Sequence, residues 1–363
     1  MKTIKVNLNR RYNLSYDVFV DNNMFDRIGL LIAKRNVARR YIVISDSNVS
    51  SLYGEAFLEM LGKANLPADF IEFPAGEASK NLDTVSSIVK QLIEKGADRS
   101  SALIALGGGV TGDIVGFVSS IYMRSIPCIQ VPTSLMAQVD SSIGGKTGID
   151  LREGKNLLGT FSQPKMVLTN LRFLETLPDE EFNNGLAEII KYGIIDDVEL
   201  FQLLEEEGEA VRNRDAAFLE TIVGKSCKIK GGIVEIDEGD KGIRRILNFG
   251  HTLGHAIEAA SGYAISHGNA VSVGMIAAAR ISERKKHLST GECDMIEKLI
   301  KDMKLLSTIP QSVGTGDILS KMKMDKKKEG STIHFVFLKK LGVPFINGSV
   351  EEGLIRETIE DLR

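Results

Sequence analysis

The sequence predicts an α/β protein, with a parallel or mixed sheet in its first half and a mainly α-helical second half. Three observations carry this. Short β-rich runs alternate with helical patterns up to about residue 170, the order of strand–helix units rather than of hairpins. ALIAL (102–106) is apolar at every position, as in a strand covered on both faces. After LTNLRFLETLP the texture changes to successive helical patterns. The expected organisation is an α/β domain over residues 1–170 and a helical domain over 171–363, with a cleft between them as the natural place for a site.

The elements follow in order. YIVIS (41–45) is a short apolar run ending at Asp46, residues 52–64 have helical spacing, and DFIEF (69–73) is strand-like. NLDTVSSIVKQLIEKG (81–96) places Val85, Ile88, Val89, Leu92 and Ile93 on one helix face and stops at Gly96. IPCIQVP (126–132) is a further buried run. In the second half LPDEEFNNGLAEIIKYGIID, VELFQLLEEEGEAV, AAFLETIVGKSCKIKGGIVE, the segment around LNFGHTLGHAIE and residues 291–305 all read as helices.

Composition narrows the function. The formal net charge of −3 provides no general basic field for nucleic acid or acidic lipid. Cys128, Cys227 and Cys293 are widely spaced and odd in number, which gives neither a disulfide framework nor a CxxC pair and fits a reducing compartment. The N-terminal MKTIKVNLNRRYNLSYDV lacks the apolar core of a signal peptide. The apolar stretch VSVGMIAAA is too short to span a bilayer. The expectation is a cytoplasmic protein with no membrane or nucleic-acid partner.

Three segments carry chemistry. GGGVTGD (107–113) follows ALIAL and opens an apolar-faced helix. Such a loop offers unpaired N–H groups and the positive end of a helix dipole to a phosphate. It is not the GxGxxG fingerprint, and a tight turn without ligand is the plain alternative. Asp46 and Asn48 after the first strand, and Glu77 and Lys80 in PAGEASK, can complete a nucleotide site; taken singly, each reads as a loop polar residue. PTSLMAQVDSSIGGKTGIDLREGKNLLGTF (132–161) sets Asp140, Lys146, Asp150, Arg152, Lys155 and Asn156 among small residues, which suits a cavity for a compact, charged ligand. Three of the five histidines, His251, His255 and His267, fall within seventeen positions. On a helix His251 and His255 share a face, and a catalytic zinc wants three protein ligands. Glu188, beside Lys191 in the apolar AEIIKYG, is the candidate carboxylate. Spacing alone leaves open whether His255 is a ligand or a free base.

Taken in order, GGGVTGD, YMR, QVPTSLMAQVDSSIGGKTGID, GKNLLGTF, AEIIKYG and LNFGHTLGHAIE resemble the 3-dehydroquinate synthases, within the sugar phosphate cyclases, over nearly the whole chain. The resemblance implies a Rossmann-like NAD-binding domain facing a helical metal-binding domain across a deep cleft. It implies a phosphorylated sugar acid as substrate, 3-deoxy-D-arabino-heptulosonate 7-phosphate, with 3-dehydroquinate and phosphate as products. It makes Glu188, His251 and His267 ligands of zinc, or of cobalt in its place, and leaves His255 to handle protons. Asp140, Lys191 and Lys230 would contact substrate hydroxyls. Arg124, Lys146, Asn156, Arg244 and Asn248 would grip carboxylate and phosphate, with Arg124 reaching in from the partner subunit of a homodimer and Lys326 as a further phosphate ligand. NAD would lie against Asp46, Asn48, Glu77, Lys80, Gly108, Gly109, Asp113, Thr133, Ser134, Lys146 and Lys155. Ser125, Asn269 and Met324 stand where Gly, Glu and His are usual in the family. Iron- or zinc-dependent polyol dehydrogenases and cyclases of the 2-deoxy-scyllo-inosose synthase type are the rival readings.

Overall fold

The computed structural model describes residues 13–328, 335–348 and 350–363; the start of the N-terminal stretch read above for a signal sequence lies outside them. Strands β1 (Asp17–Asp21), β2 (Arg40–Asp46), β3 (Ala68–Phe73), β4 (Ser101–Gly107), β5 (Cys128–Pro132) and β8 (Met166–Asn170) form one sheet in the order β1-β8-β5-β4-β2-β3, every pair parallel. β6 (Lys146–Leu151) and β7 (Gly154–Phe161) form an antiparallel hairpin.

Alternation along the strands builds two cores. Ile42 and Ile44 of β2, with Leu103 and Ala105 of β4, face Val85, Ile88 and Leu92 of the helix Leu82–Glu94 and Ile114, Val115 and Val118 of the helix Gly109–Ile121. Tyr41, Val43, Ala102, Ile104 and Leu106 point the other way, onto Ile28, Ile32, Phe57 and Leu61 from the helices Ile28–Arg35 and Glu55–Lys63. This is the two-faced burial that a continuous apolar run implies.

A third core joins the chain after β5 to the helices. Leu135, Val139 and Ile143 pack with Leu186, Ile189 and Ile190 of the helix Asp179–Ile195 and with Ile222 and Val223 of the helix Ala216–Ile236. The expected helices of the second half are present, including Thr290–Asp302. That half also contains strands, which helical periodicity alone did not anticipate: β9 (Phe335–Lys340) pairs antiparallel with β10 (Val343–Asn347). β1 and the hairpin β6–β7 were likewise not read as strands; DVFVD is short, and β7 is largely exposed and carries little alternation.

The helices His251–Ala260 and His267–Arg284 approach closely. A side chain at Gly274 would stand 2.0 Å from the Gly250 carbonyl oxygen. Gly250 itself has φ +80° and abuts the Met275 backbone, so only glycine suits either place. This contact fixes the first residue of one helix, His251, beside the first residue of the other, His267.

Ser125 adopts φ +89°, directly after Met123 at +49° and Arg124 at +67°. With ψ 121° it lies outside the left-handed helical well, where a side chain costs on the order of 1–3 kcal/mol, partly offset by glycine's greater unfolded-state freedom, about 0.5–1 kcal/mol. Ser125→Gly should therefore stabilise the protein by about 0.5–1 kcal/mol, read as a higher urea midpoint at unchanged slope. A lower midpoint would show that the turn carries no strain.

Candidate active site

Glu188 belongs to a helix that is buried all round at this level: Leu186, Ala187, Ile189, Ile190, Tyr192 and Ile194 are all inaccessible. A carboxylate in such a place needs charge partners. One oxygen, Oε2, accepts from Lys191 Nζ one turn on. The other, Oε1, is buried without a hydrogen-bond partner. It faces His251 Nε2 at 3.4 Å and His267 Nε2 at 3.7 Å. The ligand atoms of these three residues all lie within 4.8 Å of one another. An orphaned buried oxygen beside two imidazole nitrogens is a donor set that fits a divalent cation of borderline softness such as zinc.

Both rings are oriented from behind. His251 Nδ1 lies 3.1 Å from the Phe249 carbonyl oxygen, and His267 Nδ1 lies 3.3 Å from Glu258 Oε2. The other oxygen of Glu258 takes Lys155 Nζ at 3.1 Å. Burial alone would raise the Glu188 carboxyl, but Lys191 and His251 hold it well below the usual range. Burial lowers His267 less than the neighbouring carboxylates of Glu188 and Glu258 raise it, to about 9. His255 is shifted downward by the protein walls around it and then by His251 and His267. Its ring packs edge-on to His251 and makes no hydrogen bond among the described residues.

Beside this triad lies a polar recess of about 420 Å³. Asp140, Lys146, Lys191, Lys230, Arg244, Asn248 and His251 line it, together with Asp240. Seven residues expected from the sequence thus meet in one place. Asp140 is the hub: its Oδ1 accepts from Lys230 Nζ at 2.6 Å and from the Tyr192 hydroxyl. Burial would raise Asp140, yet Lys230 and Lys191 hold it at about 2. Arg244, fully inside the protein, donates to the Gly144 and Glu238 carbonyl oxygens at 3.2 and 2.8 Å. Lys146 pairs with Asp240.

The glycine loop forms a second locus. Gly108 caps the helix Gly109–Ile121 with no side-chain cap, so its first N–H groups stay available to an anion. Added side chains at Gly108 and Gly109 would stand 3.3 Å from Ser134 Oγ and 3.1 Å from Ser141 Oγ. Thr133 and Ser134 are buried next to this bare end. Thr111 donates to Asp46 Oδ2 at 3.1 Å, which fastens the end of β2 to the same helix. Asp113 pairs with the buried Lys80 at 2.6 Å; burial pushes its carboxyl up to about 6 against the pull of Lys80. Asn48 and Glu77 are exposed at the rim. A bare helix end with a carboxylate at the adjacent strand terminus fits a dinucleotide.

Of the expected substrate-contacting residues, His255, Asn156 and Arg124 do not line the recess. Asn156 accepts from Lys80 Nζ at 2.6 Å, on the glycine-loop side. Arg124 is exposed and does not line the recess. Lys326 falls in the helix Thr315–Lys328, and its side chain lies outside the described residues. Sequence reasoning missed Tyr192, Asp240 and Glu258. Only Glu258 had a usable signal, standing two helical turns after His251 in LNFGHTLGHAIE.

Comparison with known proteins shows the family. Family models described as 3-dehydroquinate synthase N-terminal and C-terminal match residues 70–184 and 185–328. The chain is 41% identical to a 3-dehydroquinate synthase of Symbiobacterium thermophilum over 96% of its own length and 98% of the relative's. A second, from Dehalococcoides mccartyi, is 39% identical over the whole of both chains. Among solved structures, a 2-epi-5-epi-valiolone synthase from Streptomyces hygroscopicus with NAD+ and Zn2+ bound superposes with a TM-score of 0.89 at 28% identity, covering 98% of this chain and 99% of that one. A 2-deoxy-scyllo-inosose synthase with carbaglucose-6-phosphate, NAD+ and Co2+ gives 0.88 at 28% identity over 95% and 96%. An iron-containing alcohol dehydrogenase, at 15% identity and a TM-score of 0.68 over 97% and 98%, shares the fold. By family model and by near-full-length identity, this chain belongs to the 3-dehydroquinate synthase family.

Proposed function

We propose that the protein converts 3-deoxy-D-arabino-heptulosonate 7-phosphate to 3-dehydroquinate and phosphate, a carbon–oxygen lyase reaction of aromatic amino-acid biosynthesis. The observation that carries the reading is the unpartnered Glu188 oxygen between two imidazoles, opening onto a recess walled by Lys146, Lys191, Lys230 and Arg244. A metal centre bordered by several cations suits a polyhydroxylated dianion better than a neutral polyol, which argues against the dehydrogenases that share the fold. Two solved relatives hold NAD+ with Zn2+ or Co2+, which supports the same pair of groups here.

When bound, NAD exchanges a hydride with the substrate and the divalent ion lends Lewis acidity to a substrate oxygen. Glu188, His251 and His267 would hold the ion, and Lys191 keeps Glu188 ionised. Asp140 stays ionised, and its Oδ2, which no described residue hydrogen-bonds, is free for a substrate hydroxyl. Lys230 and Tyr192 fix its orientation. Arg244 and Lys146 place positive charge at the far end of the recess for the carboxylate and phosphate. His255, kept neutral and packed against His251 and His267, would handle a proton beside the metal centre. Confinement of these groups around one ligand supplies the geometry that phosphate loss and ring closure need.

We also read the active unit as a cytoplasmic homodimer that completes each site with Arg124 of the partner subunit. Exposed Ile121, Met123, Leu157, Leu158 and Phe161 support this. They lie on the helix end and hairpin joined by the Thr160–Ser120 hydrogen bond of 2.8 Å, next to Arg124. No helix among the described residues is long and apolar enough to cross a membrane.

The direct assay is phosphate release from the heptulosonate phosphate, with zinc and NAD both required and no NADH accumulating. Turnover of glucose 6-phosphate instead would move the protein to the inosose-forming cyclases, and net NADH from glycerol would move it to the dehydrogenases. His251→Ala should lose the metal, whereas His255→Ala should keep it and lose rate; equal loss of zinc from both would contradict the ligand assignment. The His267 proton provides a pH test. Its value in the metal-free fold lies above the ordinary 6.5, so the proton stabilises that fold fully below about 6.5 and is lost as pH rises through about 9. Zinc must displace it, so affinity measured by titration calorimetry should rise over this interval. A flat affinity would contradict a proton held on His267 by Glu188 and Glu258 in the metal-free fold.

A further inference from the structure

We infer that Glu258 is a positioning residue for the metal centre: its carboxylate dictates which nitrogen of His267 faces Glu188. The inference rests on the reading of Glu188, His251 and His267 as metal ligands. A neutral imidazole carries one proton, and either nitrogen can hold it. Glu258 Oε2, 3.3 Å from His267 Nδ1, accepts that proton's hydrogen bond and leaves Nε2 as the nitrogen whose lone pair can bind a cation held between it and Glu188 Oε1, 3.7 Å away. His251 reaches the same state through the Phe249 carbonyl at 3.1 Å. A backbone carbonyl is present whatever the side chain, but the acceptor behind His267 depends wholly on residue 258.

Glu258 is itself held. Its side chain is only 11% exposed, and its second oxygen is occupied by Lys155 Nζ at 3.1 Å. That ammonium in turn sits 4.5 Å over the Tyr263 ring. The two oxygens therefore have separate duties, one toward the imidazole and one toward the hairpin residue Lys155. A carboxylate fixed at both oxygens behind a ligating histidine orients the ring and raises its basicity, and loss of such a partner weakens metal binding about 10–100-fold.

The test measures metal without turnover. Zinc-loaded protein is mixed with a chromogenic chelator, and the release rate is compared for the parent, Glu258→Gln and Glu258→Ala. Glu258→Gln keeps an oxygen that can accept from Nδ1 but loses the charge, so release should quicken several-fold. Glu258→Ala, which keeps neither, should release faster by about 10–100-fold. In cobalt-loaded samples the visible band should shift in Glu258→Ala and stay close to the parent's in Glu258→Gln. Parent-like release by Glu258→Gln overturns the inference, including where Glu258→Ala fails to fold. So does a Glu258→Gln release rate equal to that of Glu258→Ala. A fall in metal-free melting temperature that accounts for the faster release, with unchanged cobalt spectra, also overturns it by reducing Glu258 to a structural role. A parent that holds no zinc would instead remove the metal reading itself, while phosphate release by the parent decides the reaction independently.

Discussion

A negative charge placed inside an apolar helix layer is the constraint on which the rest of this structure depends. Glu188 is buried, and breaking a buried ion pair by removing one partner costs about 3–5 kcal/mol. The fold answers with Lys191 on one oxygen and the open ends of two helices on the other. Those ends can stand so close only because Gly250 and Gly274 let the helices touch backbone to backbone. The same lysine lies next to Asp140, whose own charge is balanced by Lys230. One buried carboxylate thus organises a chain of alternating charges from the metal centre into the substrate recess.

The hairpin β6–β7 ties this wall to the glycine loop. Lys155 and Asn156 are consecutive, and Asn156 has φ +55°, in the left-handed region beside the hairpin's register shift. Lys155 reaches Glu258 behind the metal centre, and Asn156 reaches Lys80, which is paired with Asp113 in the glycine-loop helix. The expected dinucleotide and metal sites are therefore bridged by two adjacent residues of one hairpin. A dinucleotide at the loop and a cation at the histidines would each meet a partner already ordered by the other.

Much of this was legible before any coordinates. Continuous apolar runs such as ALIAL announce a strand buried on both faces, because the run is too short for a buried helix and ends at once in glycines. The polar stretch from Pro132 to Phe161 stood out because small residues around isolated cations have no use on a solvated surface. Glu188 was legible for the opposite reason, as a lone charge among Leu186, Ile189, Ile190 and Ile194. Local pattern was silent on contacts made across the chain. Nothing near Tyr192 signals that its hydroxyl meets Asp140, fifty-two positions earlier, and nothing near Asp240 signals Lys146. The hairpin escaped notice because its outer strand is mostly exposed and has no apolar alternation to read. Asn156 illustrates the same limit: its segment and its family position both group it with the residues for a charged ligand, and nothing local signals its hydrogen bond from Lys80, seventy-six positions earlier.

The central claim is that a divalent cation completes the charge balance of Glu188 between the two imidazoles. Anomalous diffraction at the zinc absorption edge, from crystals of the zinc-loaded protein, tests it most directly. The account predicts one dominant peak bounded by Glu188 Oε1, His251 Nε2 and His267 Nε2. A peak elsewhere, or one that places His255 in the coordination sphere instead of His267, would contradict it.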